Sequence, residues 1–525
     1  MRKEIKMKKL ISLLLSVCIL ASLAVIAAPA AFAADDRIDI PLIYLEGQGH
    51  GLYRNRGTEE QEQIYPLVLP ENYINEKVEQ YLPVFAEAFF TQEWSEFCVA
   101  LQDCLIPLFK DIKLGPDGKT MDNSGILWTW KKEELTDTAV DGTYGIEDYV
   151  YRYDWRLDPW DIAEELHRYI EDVMDVTGAE EVAILGRCEG SGYVQAYLSR
   201  YSGEHIRECI FYTSASHGIT LCNKAFTGEL CLEPDGIERY VYDTELSGVE
   251  YIQDFIEAFV TMFNKTYGLD IASWAVNNVY KDIYLEIVPQ VMIESFGTFP
   301  GYWSMVDAEH YDKAMETVFY GADLEKYAGL IQKIDNYHKN VRLKMDDNCL
   351  ALSAKGVEFS NVAKYGYQMM PVSTDNDTVA DGLCTLTASS MGATTCKLTE
   401  KLSDEYIENA KANGTFKYIS PDLQVDASTC LFRDTTWIVK NLKHTDFPDE
   451  IHRLFAKIIN TDGFTVFSSE EFPQYLYYDS ETRTISPLTV QNMATTDRWE
   501  VSFFKAIRVM VESIFKMIKA SIGSK

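Results

Sequence analysis

The sequence predicts an α/β fold, in which a mostly parallel β-sheet carries helices on both faces and is interrupted by a mainly helical cap. Short apolar runs typical of buried strands alternate with segments whose apolar residues recur at helical spacing. This alternation favours parallel strands, because each return connection is long enough to hold a helix. The cap is predicted where the chain turns mainly helical and aromatic, over residues 218–348, before strand character returns.

Six strands are predicted from apolar or aromatic runs bounded by turn residues. They are Ile38–Leu45, Tyr149–Tyr153, Val182–Leu185, Cys209–Thr213, Val357–Val372 and Thr436–Val439. Helices are predicted over residues 78–110, 162–176 and 193–201. The second of these places Ile162, Leu166 and Ile170 on one face, and Gly178 is expected to end it.

The first 33 residues are predicted to be a secretory signal peptide. Five basic residues precede an apolar run from Leu10 to Ile26, and Ala31–Ala33 (A-F-A) matches an A-x-A cleavage site. A retained membrane anchor is the alternative. A lipoprotein signal at Cys18 is disfavoured, because Val17 precedes it where a small residue is needed. We therefore expect a secreted or cell-surface protein.

The mature chain is expected to be strongly acidic. Removing the signal takes away five basic residues and Glu4, which lowers the formal net charge from −33 to −37. Such a charge repels phosphate backbones, so we expect no nucleic-acid partner. Ten of the 11 cysteines follow the signal, and none forms a C-x-x-C pair. Cys222 with Cys231, and Cys396 with Cys430, are candidate disulfides.

The remaining chain divides into five predicted segments. The core comes in two parts, residues 34–217 and 349–455, on either side of the cap at 218–348, and residues 456–497 form a C-terminal extension. Residues 498–525 are predicted to be a basic amphipathic helix, with lysines and an arginine opposite an apolar face. Such a helix binds membrane surfaces. The alternative is a terminal helix packed on the protein.

The central motif is Gly186–Gly190 (G-R-C-E-G), which follows a predicted strand and precedes a predicted helix. This context favours a nucleophile elbow, the sharp strand-to-helix turn of α/β-hydrolases. We predict Cys188 as its nucleophile, since a helix N-terminus and a nearby histidine both favour the thiolate. Either Cys188 is catalytic or it is an inert residue in a tight turn, and Ser191 is a rival nucleophile within the helix.

An oxyanion hole is expected beside the elbow. The backbone N–H of Glu189 would provide one donor, and the loop after the first strand, around Gly47 and Gln48, would provide the other. Glycines in that loop let the backbone approach a substrate. His50 lies next to the loop, and we expect it to shape the loop rather than to titrate.

Two further segments resemble the lecithin:cholesterol acyltransferase-like lipases. Tyr153–Arg156 (Y-D-W-R) is similar to a segment that precedes the nucleophile turn in that family, and Pro300–Val306 is similar to a stretch of its cap. The resemblance is strong only near residues 150–205. It implies an α/β-hydrolase that acts on acyl esters of lipid-like substrates. This chain departs from the family at Cys188, where the family has serine; dienelactone hydrolases carry a comparable cysteine.

The acid and the base are expected to follow the nucleophile in the order of the α/β-hydrolases. Asp375, Asp377 and Asp381 compete as the acid; Asp377 is in a segment similar to the family's acid loop but is displaced by one residue, and we favour Asp381. Only His444 and His452 follow these aspartates. His444 is preferred, because it lies in a loop directly after a strand, whereas His452 lies in a helical pattern.

We therefore predict an acyl hydrolase or acyltransferase that works through an acyl-enzyme on Cys188. The alternatives are a binding protein that has kept the fold without the chemistry, and a surface-anchored scaffold. No cofactor and no metal are expected, because nucleotide and zinc motifs are missing from the sequence. Residues 375–377 (D-N-D) are a weak calcium candidate, and a polar loop is the favoured interpretation.

Overall fold

The computed structural model describes residues 37–67, 73–244, 246–493, 499 and 501–523. The predicted signal peptide lies outside these residues. The central feature is an eight-stranded sheet with the spatial order β8-β7-β6-β5-β4-β3-β1-β2. In chain order its strands are β1 (Leu42–Leu45), β2 (Tyr149–Tyr151), β3 (Val182–Arg187), β4 (Ile206–Tyr212), β5 (Glu358–Tyr365), β6 (Thr436–Lys440), β7 (Tyr475–Asp479) and β8 (Thr484–Pro487).

Every neighbouring pair in this sheet is parallel except β7 and β8 at one edge, which are antiparallel. The predicted α/β class with a mostly parallel sheet is thereby confirmed. Parallel register brings the carboxyl ends of β1, β3, β4, β5 and β6 to one edge. In open α/β sheets this is the edge at which ligands bind.

The sheet continues beyond residue 455, the predicted end of the core. Its last two strands, β7 and β8, lie within residues 456–497, which were predicted to be a separate extension. β8 is the edge strand, where one side has no partner strand and polar residues are tolerated, and β7 lies next to it. This explains why the sequence there lacks the continuous apolar run of a central strand.

Sixteen helices of the α type occur among the described residues. They are α1 (Tyr73–Thr91), α2 (Ser95–Phe109), α3 (Pro159–Thr177), α4 (Gly190–Tyr201), α5 (Thr220–Thr227), α6 (Pro234–Asp243), α7 (Glu250–Lys265), α8 (Gly268–Ile293), α9 (Pro300–Trp303), α10 (Tyr311–Val318), α11 (Ala328–Asn340), α12 (Met345–Ser353), α13 (Leu386–Ser389), α14 (Asp404–Asn413), α15 (Asp449–Ile459) and α16 (Phe503–Gly523). None of them is both long and apolar enough to span a membrane.

Short elements complete the described fold. Three antiparallel pairs join Arg37–Ile38 to Tyr144–Gly145, Leu52–Arg54 to Glu62–Tyr65, and Thr394–Thr395 to Val425–Asp426. The 3-10 turns are Lys132–Glu134, Phe296–Thr298, Arg342–Lys344, Phe416–Tyr418, Ala427–Thr429 and Arg433–Thr435.

Three predicted elements differ from those observed. The strand predicted over residues 38–45 is broken near Pro41, which cannot donate a hydrogen bond to a sheet. The helix predicted over residues 78–110 is two helices, separated where Gln92 adopts a φ of 62°. The strand predicted to reach residue 372 ends at Tyr365, because Gly366 follows with a φ of 110°.

The main core lies between the sheet and the helices that connect its strands. Val182–Leu185 is completely buried, and Ile162, Leu166 and Ile170 of α3 pack in the same cluster. A second cluster is built largely from residues between β4 and β5, including Trp303 and Phe226. This cluster borders the carboxyl edge of the sheet.

All ten cysteines of the described chain are free thiols. The candidate pairs Cys222–Cys231 and Cys396–Cys430 are therefore not bonded in this structure. Most of the ten lie in apolar surroundings, and burial raises the pKa of Cys349 and Cys430 to about 12. Such thiols are unreactive.

Candidate active site

The predicted elbow adopts a strained turn between β3 and α4. Cys188 has a φ of 52°, in the left-handed region that residues with a side chain rarely occupy. Both flanking glycines are required by space, since an added Cβ would lie 2.7 Å from the Ser191 Cα at Gly186 and 2.6 Å from the Leu45 carbonyl oxygen at Gly190. The close approach of β1 and α4 therefore fixes the sequence pattern.

Cys188 is partly exposed, and its backbone ties the elbow to the end of β4. Its N–H donates to the Tyr212 carbonyl at 3.0 Å, and its carbonyl accepts from the Ala215 N–H at 3.1 Å. Burial by itself raises the pKa of the thiol. The charge of His444, a hydrogen bond with that ring and the N–H of Glu189 outweigh it, so the pKa lies below the ordinary value of 9.0.

His444 follows β6 and is oriented by a buried carboxylate. Its Nδ1 lies 2.8 Å from Oδ2 of Asp381, and its side chain is 11% exposed. The N–H of His444 also donates to the Asp381 carbonyl at 2.8 Å. Burial disfavours the imidazolium, but the charges of Asp381 and Cys188 outweigh burial and hold the pKa of His444 well above 6.5. The structure thus brings together Cys188, His444 and Asp381.

Thr213, directly after β4, is a site residue that sequence analysis missed. Its hydroxyl donates to Oδ2 of Asp381 at 2.5 Å and lies 3.0 Å from Nδ1 of His444. The carboxylate also accepts from the N–H groups of Leu383 and Cys384 through Oδ1. Burial by itself raises the pKa of Asp381. The charge of His444, the hydrogen bonds with His444 and Thr213, and the charge of Lys364 outweigh burial and hold the pKa below its ordinary value.

Lys364 is a second residue that sequence analysis missed. This lysine of β5 is fully buried, and its Nζ donates to the backbone carbonyls of Lys443, His444 and Asp446 at 3.1, 3.0 and 2.6 Å. Burial, followed by the charge of Arg187, lowers its pKa to about 7. Lys364 therefore fixes the loop that carries the histidine. A lysine in the interior of a buried strand is unusual, and this was the available signal.

The loop expected to supply the second oxyanion donor lies against the nucleophile. An added Cβ at Gly47 would lie 2.8 Å from the Cys188 Cβ and 3.5 Å from its sulfur, so only glycine fits there. The side-chain amide of Gln48 donates to the Tyr302 hydroxyl at 2.6 Å. The N–H of Glu189 donates a hydrogen bond to the Cys188 sulfur. The Glu189 N–H and the backbone of Gly47 therefore both lie close to the Cys188 side chain.

The Y-D-W-R segment supports this loop. The Tyr153 hydroxyl donates to the Glu46 carbonyl at 2.7 Å, and the indole N–H of Trp155 donates to the His50 carbonyl at 3.2 Å. Arg156 is completely buried and binds both oxygens of Asp154 at 2.9 and 2.6 Å. A buried bidentate pair of this kind keeps a backbone segment in one conformation.

The rival residues are placed elsewhere. The Ser191 hydroxyl is buried and donates to the Gly186 carbonyl at 2.9 Å. Asp377, the alternative acid, is paired with Lys397 at 2.8 Å rather than with a histidine. His452 is buried in α15 against Phe447, where burial lowers its pKa to about 4. His50 is half-buried, and its desolvation lowers its pKa.

A second thiol lies beside the triad. Ligand atoms of Asp381, Cys384 and His444 lie within 4.8 Å of one another, which makes these three the group of described residues with spacing suitable for a metal ion. Asp381 and His444 already satisfy each other by a hydrogen bond. Burial raises the pKa of Cys384 to about 12, so this thiol is neutral and is a poor ligand compared with a thiolate.

The arrangement has the chemical parts of nucleophilic catalysis: an ionisable thiol, an imidazole that touches it, and a carboxylate that fixes the imidazole. Each part follows a different strand at the carboxyl edge of one parallel sheet. In comparisons with known proteins, no protein-family model and no curated protein matches this chain.

Proposed function

We propose that this protein is an acyl hydrolase or acyltransferase of the α/β-hydrolase type, with Cys188 as its nucleophile. The observation that carries the proposal is the contact of the Cys188 thiol with His444, whose other ring nitrogen lies 2.8 Å from Asp381. An inert cysteine in a tight turn requires neither a histidine at its sulfur nor a carboxylate behind that histidine.

In the proposed reaction, the Cys188 thiolate attacks the acyl carbonyl carbon and forms a tetrahedral oxyanion. The N–H groups of Glu189 and of the Gly47–Gln48 loop stabilise this oxyanion. The C–O bond of the ester breaks, and the His444 imidazolium protonates the leaving alkoxide. The neutral imidazole then takes a proton from water or an acceptor alcohol, whose oxygen attacks the thioester and releases Cys188 as thiolate.

The substrate is proposed to be an acyl ester with an apolar, lipid-like acyl group. Cys188 packs against the second hydrophobic cluster, and the partly buried Leu221, Leu383 and Tyr302 pack against the same cluster. This apolar wall and the similarity of residues 153–156 to the lecithin:cholesterol acyltransferase-like lipases both support that class. A non-catalytic binding protein is the second candidate, favoured by the departure of Cys188 from the family's serine.

Alkylation distinguishes these two functions. We expect iodoacetamide to label Cys188 at pH 6–7, whereas the buried thiols react only at higher pH, because Cys188 alone among the described cysteines has a lowered pKa. Labelling should fall at acid pH, where the thiolate is protonated. Loss of activity on a panel of ester, thioester and amide substrates should follow labelling one to one, as measured by peptide mass spectrometry. Uniform labelling of all cysteines, or an alkylated protein that keeps its activity, would contradict the proposal.

We also propose that the C-terminal helix contacts membrane surfaces from a secreted or cell-surface protein. It packs on α7 through a narrow strip that includes Ala506 and Met510. Its apolar face points away from the protein, with Phe504 80% and Phe515 62% exposed, and Val511, Ile514 and Ile518 are exposed as well. One face of this helix therefore packs on α7, and another face exposes apolar side chains.

A paired substitution tests this contact. Changing Phe504 and Phe515 to serine should lower binding to anionic liposomes about 10-fold or more, because each ring loses roughly 2 kcal/mol of apolar burial. Co-sedimentation measures the effect. The matched control changes Phe467, an exposed phenylalanine outside this helix, to serine. If wild type and the paired variant bind equally, the membrane contact is wrong, and α16 is only a packed terminal helix.

A further inference from the structure

Glu189 combines three features that the proposed reaction does not use. Its side chain directly follows the nucleophile in the chain, and the residue is only 1% exposed. Both carboxyl oxygens are fully buried, and neither has a hydrogen-bond partner. A buried polar group without a partner is costly, so its retention beside a reactive residue needs an explanation.

The surroundings of this carboxyl place it towards the cap residues. Its electrostatic partners include Cys188, Tyr65, Cys222 and Tyr302. Two of these, Cys222 and Tyr302, belong to the apolar cluster that packs against the nucleophile. The carboxyl therefore lies near the reactive sulfur and near residues of the apolar cluster, as well as near Tyr153 and Tyr193 of the main core.

The neighbouring phenols do not satisfy the carboxyl. The hydroxyls of Tyr65 and Tyr302 share the amide of Gln48, at 3.4 and 2.6 Å. Tyr153 donates to the Glu46 carbonyl instead. The Glu189 oxygens consequently remain available for a group that the protein itself does not supply.

Tyr65 and Tyr302, two of these neighbours, both pack against the ring of Trp155, the first edge-on and the second stacked. The Tyr65 ring lies 5.0 Å from Trp155, and the Trp155 and Tyr302 rings are stacked at 5.6 Å between centroids. Aromatic faces attract cations, and a carboxylate does so more strongly. Burial, reinforced by the charges of Cys188 and Asp154, raises the pKa of Glu189 well above its ordinary range, which favours the neutral carboxylic acid. An entering cation would restore the carboxylate by pairing with it.

We infer that the Glu189 side chain is a substrate-binding group that selects acyl donors with an ammonium group a few bonds from the scissile carbonyl. This inference rests on the proposed function and narrows its substrate class to amino-acyl esters. The carbonyl would be held at Cys188 and the N–H of Glu189, while the ammonium group reaches the carboxylate of the same residue. The apolar remainder of the acyl chain would lie against the cap.

The test compares phenyl esters of 2-aminooctanoic and 3-aminooctanoic acid with phenyl octanoate. Each value of kcat/KM is divided by the rate of hydroxide hydrolysis of the same ester, which removes intrinsic reactivity. We expect wild type to prefer one of the amino esters roughly 10- to 100-fold, the range of a hydrogen bond to a charged group. In Glu189→Gln the ratio of the corrected kcat/KM for the preferred amino ester to that for phenyl octanoate should fall to about one. A loss of activity that affects both esters equally does not change this ratio.

Glu208→Gln is the matched control. Glu208 is also a buried glutamate with an unpartnered oxygen, but it lies near the start of β4, away from the edge that carries Cys188. Its substitution should leave the ratio unchanged. If wild type turns over phenyl octanoate but its ratio is near one, the inference is overturned and the proposed function stands. The same holds if Glu189→Gln keeps the preference for the amino ester.

A binding measurement covers the case in which no ester is turned over. Calorimetry with Cys188→Ala, with and without Glu189→Gln, measures affinity for 2-aminooctanamide and 3-aminooctanamide against octanamide. Amine-dependent binding that requires Glu189 would support the site while the proposed reaction fails. No turnover and no amine preference in binding would overturn both.

Discussion

Replacing Cys188 by alanine should lower kcat/KM for acyl esters by about 10³-fold or more, because the variant has no atom that can form an acyl-enzyme. The remaining activity would come from the oxyanion donors and from binding alone. Folding should be preserved, since alanine retains the Cβ that the tight turn already accommodates at a φ of 52°. Steady-state kinetics on the preferred ester, with circular dichroism as a check of folding, measure the effect.

Cys349→Ala is the control for this substitution. Cys349 is buried in α12, shares hydrogen bonds with Gln195 and lies outside the triad. Its loss should affect stability more than kcat. An alanine variant of Cys188 as active as wild type would refute covalent catalysis by this thiol. Burst kinetics provide a second measurement, because an acyl-enzyme on Cys188 releases the phenol before it is hydrolysed.

Local sequence was sufficient to predict the sharp turn that carries Cys188, but not the residues that surround it. The turn at Gly186–Gly190 has a pattern set by contacts within a few residues and by the approach of β1, so the motif predicts its own geometry. His444 could be predicted from chain order, because few histidines follow the candidate acids. The acid stayed ambiguous, since neighbouring aspartates in one loop differ only in which way that loop folds.

The residues that sequence analysis missed act through contacts distant in the chain. Thr213 reaches Asp381 across 168 positions, and Lys364 reaches the His444 carbonyl across 80. No spacing rule connects such residues before the strand order of the sheet is known. The unpartnered carboxyl of Glu189 is likewise a property of the packed structure, because its sequence position indicated only a backbone donor.

Helix α16 shows that the packed and exposed faces of a helix also could not be predicted from local sequence. Its amphipathic pattern suggested either a membrane helix or a packed helix. In the described part, one face packs on the protein and another leaves large apolar side chains exposed. Ala506 and Ser513 face the protein, whereas Phe504 and Phe515 face outward. Small residues permit close packing of α16 on α7. A search for large apolar side chains does not predict this packed face, because small residues form part of it.

The second large expected effect is on catalysis by Asp381, which sequence analysis favoured over Asp377 as the acid. Asp381→Asn should lower kcat by about 10³-fold, because an amide cannot balance the imidazolium and its NH₂ group can hold His444 in the wrong tautomer. The carboxylate also holds the pKa of His444 high. Loss of the carboxylate should lower the pKa of His444. On the alkaline side of the pH profile, the residual activity should therefore decline at a lower pH than in wild type, because the imidazolium that protonates the leaving group is lost there.

Asp377→Asn is the matched control, since Asp377 lies four positions away and pairs with Lys397 near the surface. This exposed pair contributes little, so activity and its pH profile should both stay close to wild type. Equal losses in the two variants would mean that the loop, rather than the carboxylate at Nδ1 of His444, controls the reaction. A full loss in Asp377→Asn alone would reverse the assignment of the acid. The 2.8 Å contact between Asp381 and His444 argues for the first outcome, in which only Asp381 is required.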